Sequence, residues 1–334
     1  MEKTTVLQKQ SQFLKKIEDI IPISSSLVNE LSDVLETSTD SSYRRIRCET
    51  LLSIEEIIKL CDHFNITFDA FSKSENTAVT FNYSKLEPSI SCFKEYLEKL
   101  LQDMKTIDNS NQKQIIYACE DIPVFHHFNH PILASFKMFY WMLTILNVPE
   151  LEFEKFDTNN INSELTETGK QIAAAYSRIP SIEIWTETTI HSTIKQIEYF
   201  WEAGKFKNKN DALKVCEELR NEITLIQRQA EKGTKLDSFP NNIQENNFKL
   251  YFSDMEITNN CVHVNIGSLK SVYLGHFTFS TMSTFNDSYC KETFEWMNTI
   301  IKKSTLISGI SEKQRYQVFK KYFKYIDELE EKIK

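Results

Sequence analysis

Glycine is scarce in this chain: there are six in 334 residues, alongside seven prolines. So few turn-formers point to a helix-rich protein, and they leave little from which to build a phosphate-cradling loop. The sequence accordingly lacks Gly-x-Gly-x-x-Gly and Gly-Lys-Ser/Thr loops, a Gly-x-Ser-x-Gly elbow and a His-Glu-x-x-His zinc motif. The seven cysteines (Cys48, Cys61, Cys92, Cys119, Cys216, Cys261, Cys290) are odd in number and scattered, with no Cys-x-x-Cys pair. That argues against a disulfide framework or a zinc finger and fits a reducing cytoplasm. Positive charge is not in excess either. A net charge of −8 excludes a general polyanion binder, so any nucleic-acid contact must come from a local basic patch. Long apolar runs are missing. The longest, Phe136 to Leu146, contains Lys137, falls short of the roughly 20 residues that span a bilayer, and reads as a buried helix. Met1 to Gln12 has no apolar signal-peptide core. The expectation is a soluble, cytoplasmic protein with no membrane partner.

What is present is enough to bury real cores: 41% hydrophobic and 12% aromatic residues, on a chain long enough for two or three domains. The pattern predicts a mainly α protein with a small β component. An all-α bundle spans 1–72, a polar linker 73–86, and a larger α-rich α+β region 87–334. Helical spacing covers roughly 87–107, 111–119, 130–146, 161–178, 187–203 and 209–232, then 288–303 and 311–332. A polar stretch at 234–247 with Pro240 suggests a second boundary. Strands are expected near 248–280, at Phe248–Phe252, Cys261–Ile266 and Val272–Phe279. The charged tail after Lys320 reads as a solvated or partner-facing helix.

The N-terminal region carries the clearest functional pattern. Leu27, Leu31, Val34 and Leu35 form one face of a short helix, and Thr37 to Ser42 reads as a polar turn. A second helix is expected from about Ser41 to Glu49, with Tyr43 and Ile46 inward. Ser53 and Glu56 then form a capping box for a third helix. Three arginines and no acid lie between Ser41 and Arg47, although residues 1–75 hold 9 Lys+Arg against 13 Asp+Glu. Arginine is the commonest bidentate reader of guanine, and short hydroxyls reach base edges or phosphates.

This layout resembles the lambda-repressor/Cro-type helix-turn-helix family over about residues 5–70. Leu31 to Leu35 matches the first helix, Ser38 the turn, Tyr43 and Ile46 the buried recognition positions, and Ser53 to Phe64 with Asn65 to Asp69 the closing helix. Glu36 stands where the family has glycine, the Leu35–Ile46 spacing is one residue longer, and Arg47-Cys48-Glu49 replaces Glu-x-Gly. The resemblance implies a DNA-binding transcriptional regulator of prokaryotic or phage type, with the helix at about 41–49 in the major groove. Ser41 and Arg45 match base readers, Ser42 and Arg44 match flanking contacts, and Arg47 suits a phosphate. It also implies a homodimer on double-stranded DNA. The remaining four-fifths would serve dimerisation, sensing of a small-molecule or protein effector, or both.

Two alternatives stand beside it: a protein-interaction adaptor, and an enzyme or metal-binding domain at 87–330 with a regulatory N-terminus. His126, His127 and His130, after Asp121, are the candidate metal ligands. Adjacent His126 and His127 cannot share one helical face and Pro131 bends the segment, so they are expected to satisfy local hydrogen bonds. No catalytic residue and no cofactor is assigned. The aromatic concentration from Phe128 to Trp141 is expected to be core.

Overall fold

The computed structural model describes residues 2–21, 25–64, 66, 79–235, 245–277 and 279–334, with side chains from Val6 onward. Helix makes up 58% of the chain and strand 14%, so the protein is mainly α with a small β part. Four helices come first: α1 (Glu2–Ile20), α2 (Leu27–Leu35), α3 (Thr39–Ile46) and α4 (Ile54–Phe64). Each of α2 to α4 starts where a serine hydroxyl can satisfy an orphan amide. Ser26 accepts from Asn29 N–H and Ser38 from Ser41 N–H. Ser53 and Glu56 cap reciprocally, at 3.1 and 2.8 Å. The apolar stripes of these helices meet in one cluster built on Phe13, Leu14, Ile17, Leu31, Leu35 and Leu60. Leu269 and Phe285 from the β region complete that cluster, so the N-terminal helices do not bury their apolar faces alone.

Next come β1 (Asn82–Tyr83), α5 (Ile90–Asn109) and β2 (Lys113–Ala118). The short α6 (Val124–His127), α7 (Pro131–Tyr140) and α8 (Ser163–Arg178) lead to β3 (Ser181–Trp185). Then α9 (His191–Glu202) and α10 (Lys209–Lys232) lead to β4 (Phe248–Phe252). β5 (Cys261–Ile266), β6 (Leu269–His276), β7 (Ser280–Thr284), α11 (Asp287–Lys303), β8 (Thr305–Leu306) and α12 (Glu312–Ile333) close the chain. The eight strands among the described residues lie in one sheet, ordered β1-β7-β6-β5-β2-β3-β4-β8. β2, β3 and β4 are parallel neighbours, and every other pairing is antiparallel. Parallel pairing requires crossovers, which the α6–α8 and α9–α10 segments supply.

Alternation along β2 divides the core. Ile115 and Tyr117 face the main helical layer, whereas Ile116 and Ala118 join Ile184, Met297 and Ile300 beneath α11. The helix expected at 111–119 is therefore overturned: this stretch is β2, the central strand. A short apolar run buried on both faces loses the period-2 signature and cannot be told from a buried helix by spacing. The solvated tail is corrected as well. Phe319, Tyr322, Ile326, Leu329 and Ile333 are buried at helical spacing in the main core, and the charges occupy the opposite face of α12.

β1 falls within the stretch read as a linker and pairs with β7, Asn82 opposite Ser283. The rest of that stretch up to residue 78 lies outside the described residues, as does 236–244 of the 234–247 break. Past that break the chain returns to the same sheet, with Ser181 N–H donating to the Asn247 carbonyl at 2.8 Å.

Candidate nucleic-acid interface

Helix α2 ends on Glu36, whose backbone is left-handed at φ 53°. This is the position where glycine is usual, and it is the conformation for which glycine is usually chosen. Three residues, Glu36 to Ser38, then turn the chain into α3. Turns of this length join many packed helix pairs, helix-turn-helix units among them.

α3 begins two residues earlier than the sequence suggests, because Ser38 caps it. It also ends earlier: Cys48 is left-handed at φ 58°, and the Glu49 and Thr50 amides both return to the Arg44 carbonyl. The expected span of about 41–49 is thus Thr39–Ile46, and its faces rotate. Tyr43, expected inward, is 50% exposed. Ser42, expected at the DNA face, is fully buried, with its hydroxyl 3.0 Å from Ser32 and 3.2 Å from Thr37. Arg45, expected to read a base, turns toward α4. Its Nε and Nη2 donate to Glu56 Oε1 at 3.0 and 2.5 Å, and its Nη1 donates to the Ser41 hydroxyl and carbonyl. Ser41 is held by that contact rather than left free.

The outward stripe is instead Asp40, Tyr43, Arg44 and Arg47, spaced i, i+3, i+4, i+7 on one face. The side chains of Arg44 and Arg47 are 59% and 57% exposed. Glu49 lies 3.9 Å from Arg44 and 2.9 Å from Arg47. Exposed pairs of this kind are weak and salt-sensitive.

Two supports of this surface left little trace in the sequence. Gln10 of α1 donates from Nε2 to the carbonyls of Arg45 and Thr50, both at 2.9 Å, and its Oε1 accepts from Leu52 N–H at 2.9 Å. Its only signal is a polar residue on the stripe that carries Leu14 and Ile17. Glu56 doubles as cap and ion-pair partner. Burial pushes its carboxyl up, but the Arg45 hydrogen bond and charge and the Ser53 bonds together hold it below the usual range.

The three candidate metal ligands do not converge. His126 Nε2 lies 2.8 Å from Glu183, His127 Nδ1 lies 2.8 Å from Glu222, and His130 faces Glu218 at 3.8 Å. Among the described residues no group of three His, Cys, Asp or Glu side chains is placed to hold a metal ion. Glu183, in mid-β3 and fully buried, also accepts from Tyr176 O–H at 2.6 Å and Trp185 N–H at 2.8 Å. Neither glutamate was read from the sequence, although Glu222 interrupts the apolar stripe of Leu219, Ile223 and Ile226. Ile184 and Trp185 are buried as core. Phe128, Phe136 and Trp141 are buried too, and Trp141 also lines a cavity.

Among the described residues no helix is long and apolar enough to cross a membrane. No protein-family model, curated protein or solved structure matches the chain.

Proposed function

We propose that this chain is a sequence-specific, DNA-binding transcriptional regulator of prokaryotic or phage type, acting in the cytoplasm. In this reading α3 enters the major groove and the larger region serves self-association and effector sensing, with no catalytic step. The observation that carries it is the exposed stripe of Tyr43 and Arg44 on α3 with Arg47 at its C-cap, on a helix joined to α2 by a three-residue turn and tied to α4 by Arg45–Glu56. The contact set shifts accordingly: Arg44 and Arg47 are the base or phosphate contacts, Tyr43 packs on the backbone or a thymine methyl, and Arg45, Ser41 and Ser42 position α3. The acidic body keeps non-specific affinity low, so discrimination rests on this face. A homodimer reading two half-sites belongs to the same proposal. Leu51, Ile54 and Ile58, exposed beside α3, are apolar surface for a second copy to cover.

The experiment is selection of binding sites from a random duplex pool, followed by anisotropy titration of the enriched duplex. The wild type is expected to enrich a near-palindromic site. Arg44→Ala is expected to lose about 1–3 kcal/mol on that site if it reads a base, and Arg47→Ala to lower the salt slope by about one if it meets a phosphate. No enrichment, with both variants binding every duplex as weakly as the wild type, overturns the reading.

A further inference from the structure

A cavity of about 320 Å³ lies between the sheet and α5. Ile115 and Val264 line it from the sheet, and Leu100 and Met104 from α5. Trp141 and Phe279 stack along it with ring centres 5.4 Å apart. A cavity of about 150 Å³ already accepts benzene, so this one has room for roughly two rings.

Part of the cavity lining is polar and incompletely satisfied. His127 and Trp141 both line it, fully buried and 4% exposed respectively. The Nε2 of His127 and the indole Nε1 of Trp141 are buried with no hydrogen-bond partner. Buried polar atoms are nearly always paired, so two unpaired atoms on residues of one cavity mark what it is shaped to receive. His127 is oriented by Glu222, which holds Nδ1 and turns the Nε2 edge away from α10. Burial favours the neutral imidazole and outweighs the pull of Glu222. Its Nδ1–H therefore donates to the carboxylate, and Nε2 presents a lone pair. Trp141 offers only a donor. A hydroxyl, both donor and acceptor, can give a proton to the first and accept one from the second.

Lys85, Lys99 and Lys137 are balanced on the cavity lining by Glu95, Asp103 and Asp121, which does not ask for a charged ligand. Lys137 donates to Gln196 at 2.7 Å and Thr193 at 3.2 Å, and Asp121 accepts from the Ser192 hydroxyl at 3.1 Å. They are opposite in sign and each is already partnered.

We propose that this cavity binds a neutral, hydroxyl-bearing aromatic molecule of one or two rings, its hydroxyl bridging His127 Nε2 and the Trp141 indole N–H. Asn82 of β1 also lines the cavity, so an occupant sits beside the chain that leads in from the N-terminal helices. Binding here needs no DNA, and its test stands apart from the DNA reading.

The test uses the full chain and 2-naphthol, with naphthalene as the probe that lacks the hydroxyl. Calorimetry is expected to give one saturable 2-naphthol site, with naphthalene weaker. Trp141→Phe removes the donor and keeps a ring; it is expected to weaken 2-naphthol by about 2- to 10-fold and to leave naphthalene unchanged. In the wild type, the indole N–H resonance assigned to Trp141 by its loss in Trp141→Phe is expected to shift saturably with 2-naphthol. Absence of binding overturns the proposal, as does equal affinity for the two probes or a Trp141 resonance that does not move. The resonance test needs no folded variant beyond the conservative Trp141→Phe.

Discussion

Arg45 and Glu56 are joined across the corner between α3 and α4. Nε and Nη2 of the guanidinium both meet Oε1, while Oε2 accepts from the Ser53 amide. One carboxylate thus caps α4 and ties it to α3. Both side chains are mostly buried, 13% and 16% exposed, so the link is less screened than a surface pair. Arg45→Ala is expected to destabilise the N-terminal helices by roughly 1.5–3 kcal/mol, the range for hydrogen bonds to charged groups. The double variant with Glu56→Ala should lose less than the sum of the single losses. Chemical denaturation of all four proteins measures this. Additive losses would show that the two side chains act separately.

The same pair should leave a mark on acid stability. The folded carboxyl of Glu56 is held below its ordinary value, with burial opposing and Arg45 and Ser53 prevailing. The unfolded chain therefore takes up the proton first as pH falls. The contribution of the pair is complete above the ordinary carboxylate range and is lost as pH drops through the lower folded value. Arg45→Ala should flatten that dependence from the ordinary carboxylate range downward, which is where amide exchange of α4 should be followed.

Gln10 offers a prediction that no contact with DNA would imitate. It holds the end of α3 and the following loop through three hydrogen bonds, to Arg45, Thr50 and Leu52. Gln10→Ala should cost roughly 1–3 kcal/mol and speed exchange of the Leu52 amide. Gln10→Glu should do no better, because a carboxylate oxygen would then face the carbonyls of Arg45 and Thr50. Slow Leu52 exchange in Gln10→Ala would show that the loop is held by other groups.

What the sequence disclosed follows from the range over which each feature acts. Periodicity and caps are local, so α8, α10, α11 and the strands β4 and β5 match their expected spans closely. The register of α3 was harder to read. Five serines and threonines between Thr37 and Ser42 surround its start, and a start at Ser38 rather than Ser41 exchanges the buried and exposed faces of Ser42 and Tyr43. β2 was hidden because a strand buried on both sides has no polar face to alternate with. The partners of Arg45, His126 and His127 lie 11, 57 and 95 residues away along the chain, where no spacing rule reaches. The parallel β2-β3-β4 core could not be assembled from the sequence for the same reason.

Lys235 carries the sharpest pH prediction in the α+β region. It is 1% exposed, donates to the Ile179 carbonyl and to Ser181 at 3.0 Å, and its ammonium lies 3.8 Å from the centre of the Tyr176 ring. Burial lowers its pKa from the ordinary 10.5 to about 7, although Glu183 and Asp108 pull the other way. Between those values the unfolded chain binds the proton and the folded chain releases it. Stability therefore rises with pH from about 7 toward 10, by at most about 1.4 kcal/mol per unit, and the penalty is complete below 7, where both states are charged. Lys235→Met keeps the length of the side chain and removes the titrating group. In urea denaturation from about pH 6 to about pH 10, the stability difference between wild type and Lys235→Met should be level at the acid end. It should then move steadily in favour of the wild type. A difference that stays constant across that range would mean that Lys235 keeps its proton in the fold, with Glu183 as its counter-ion.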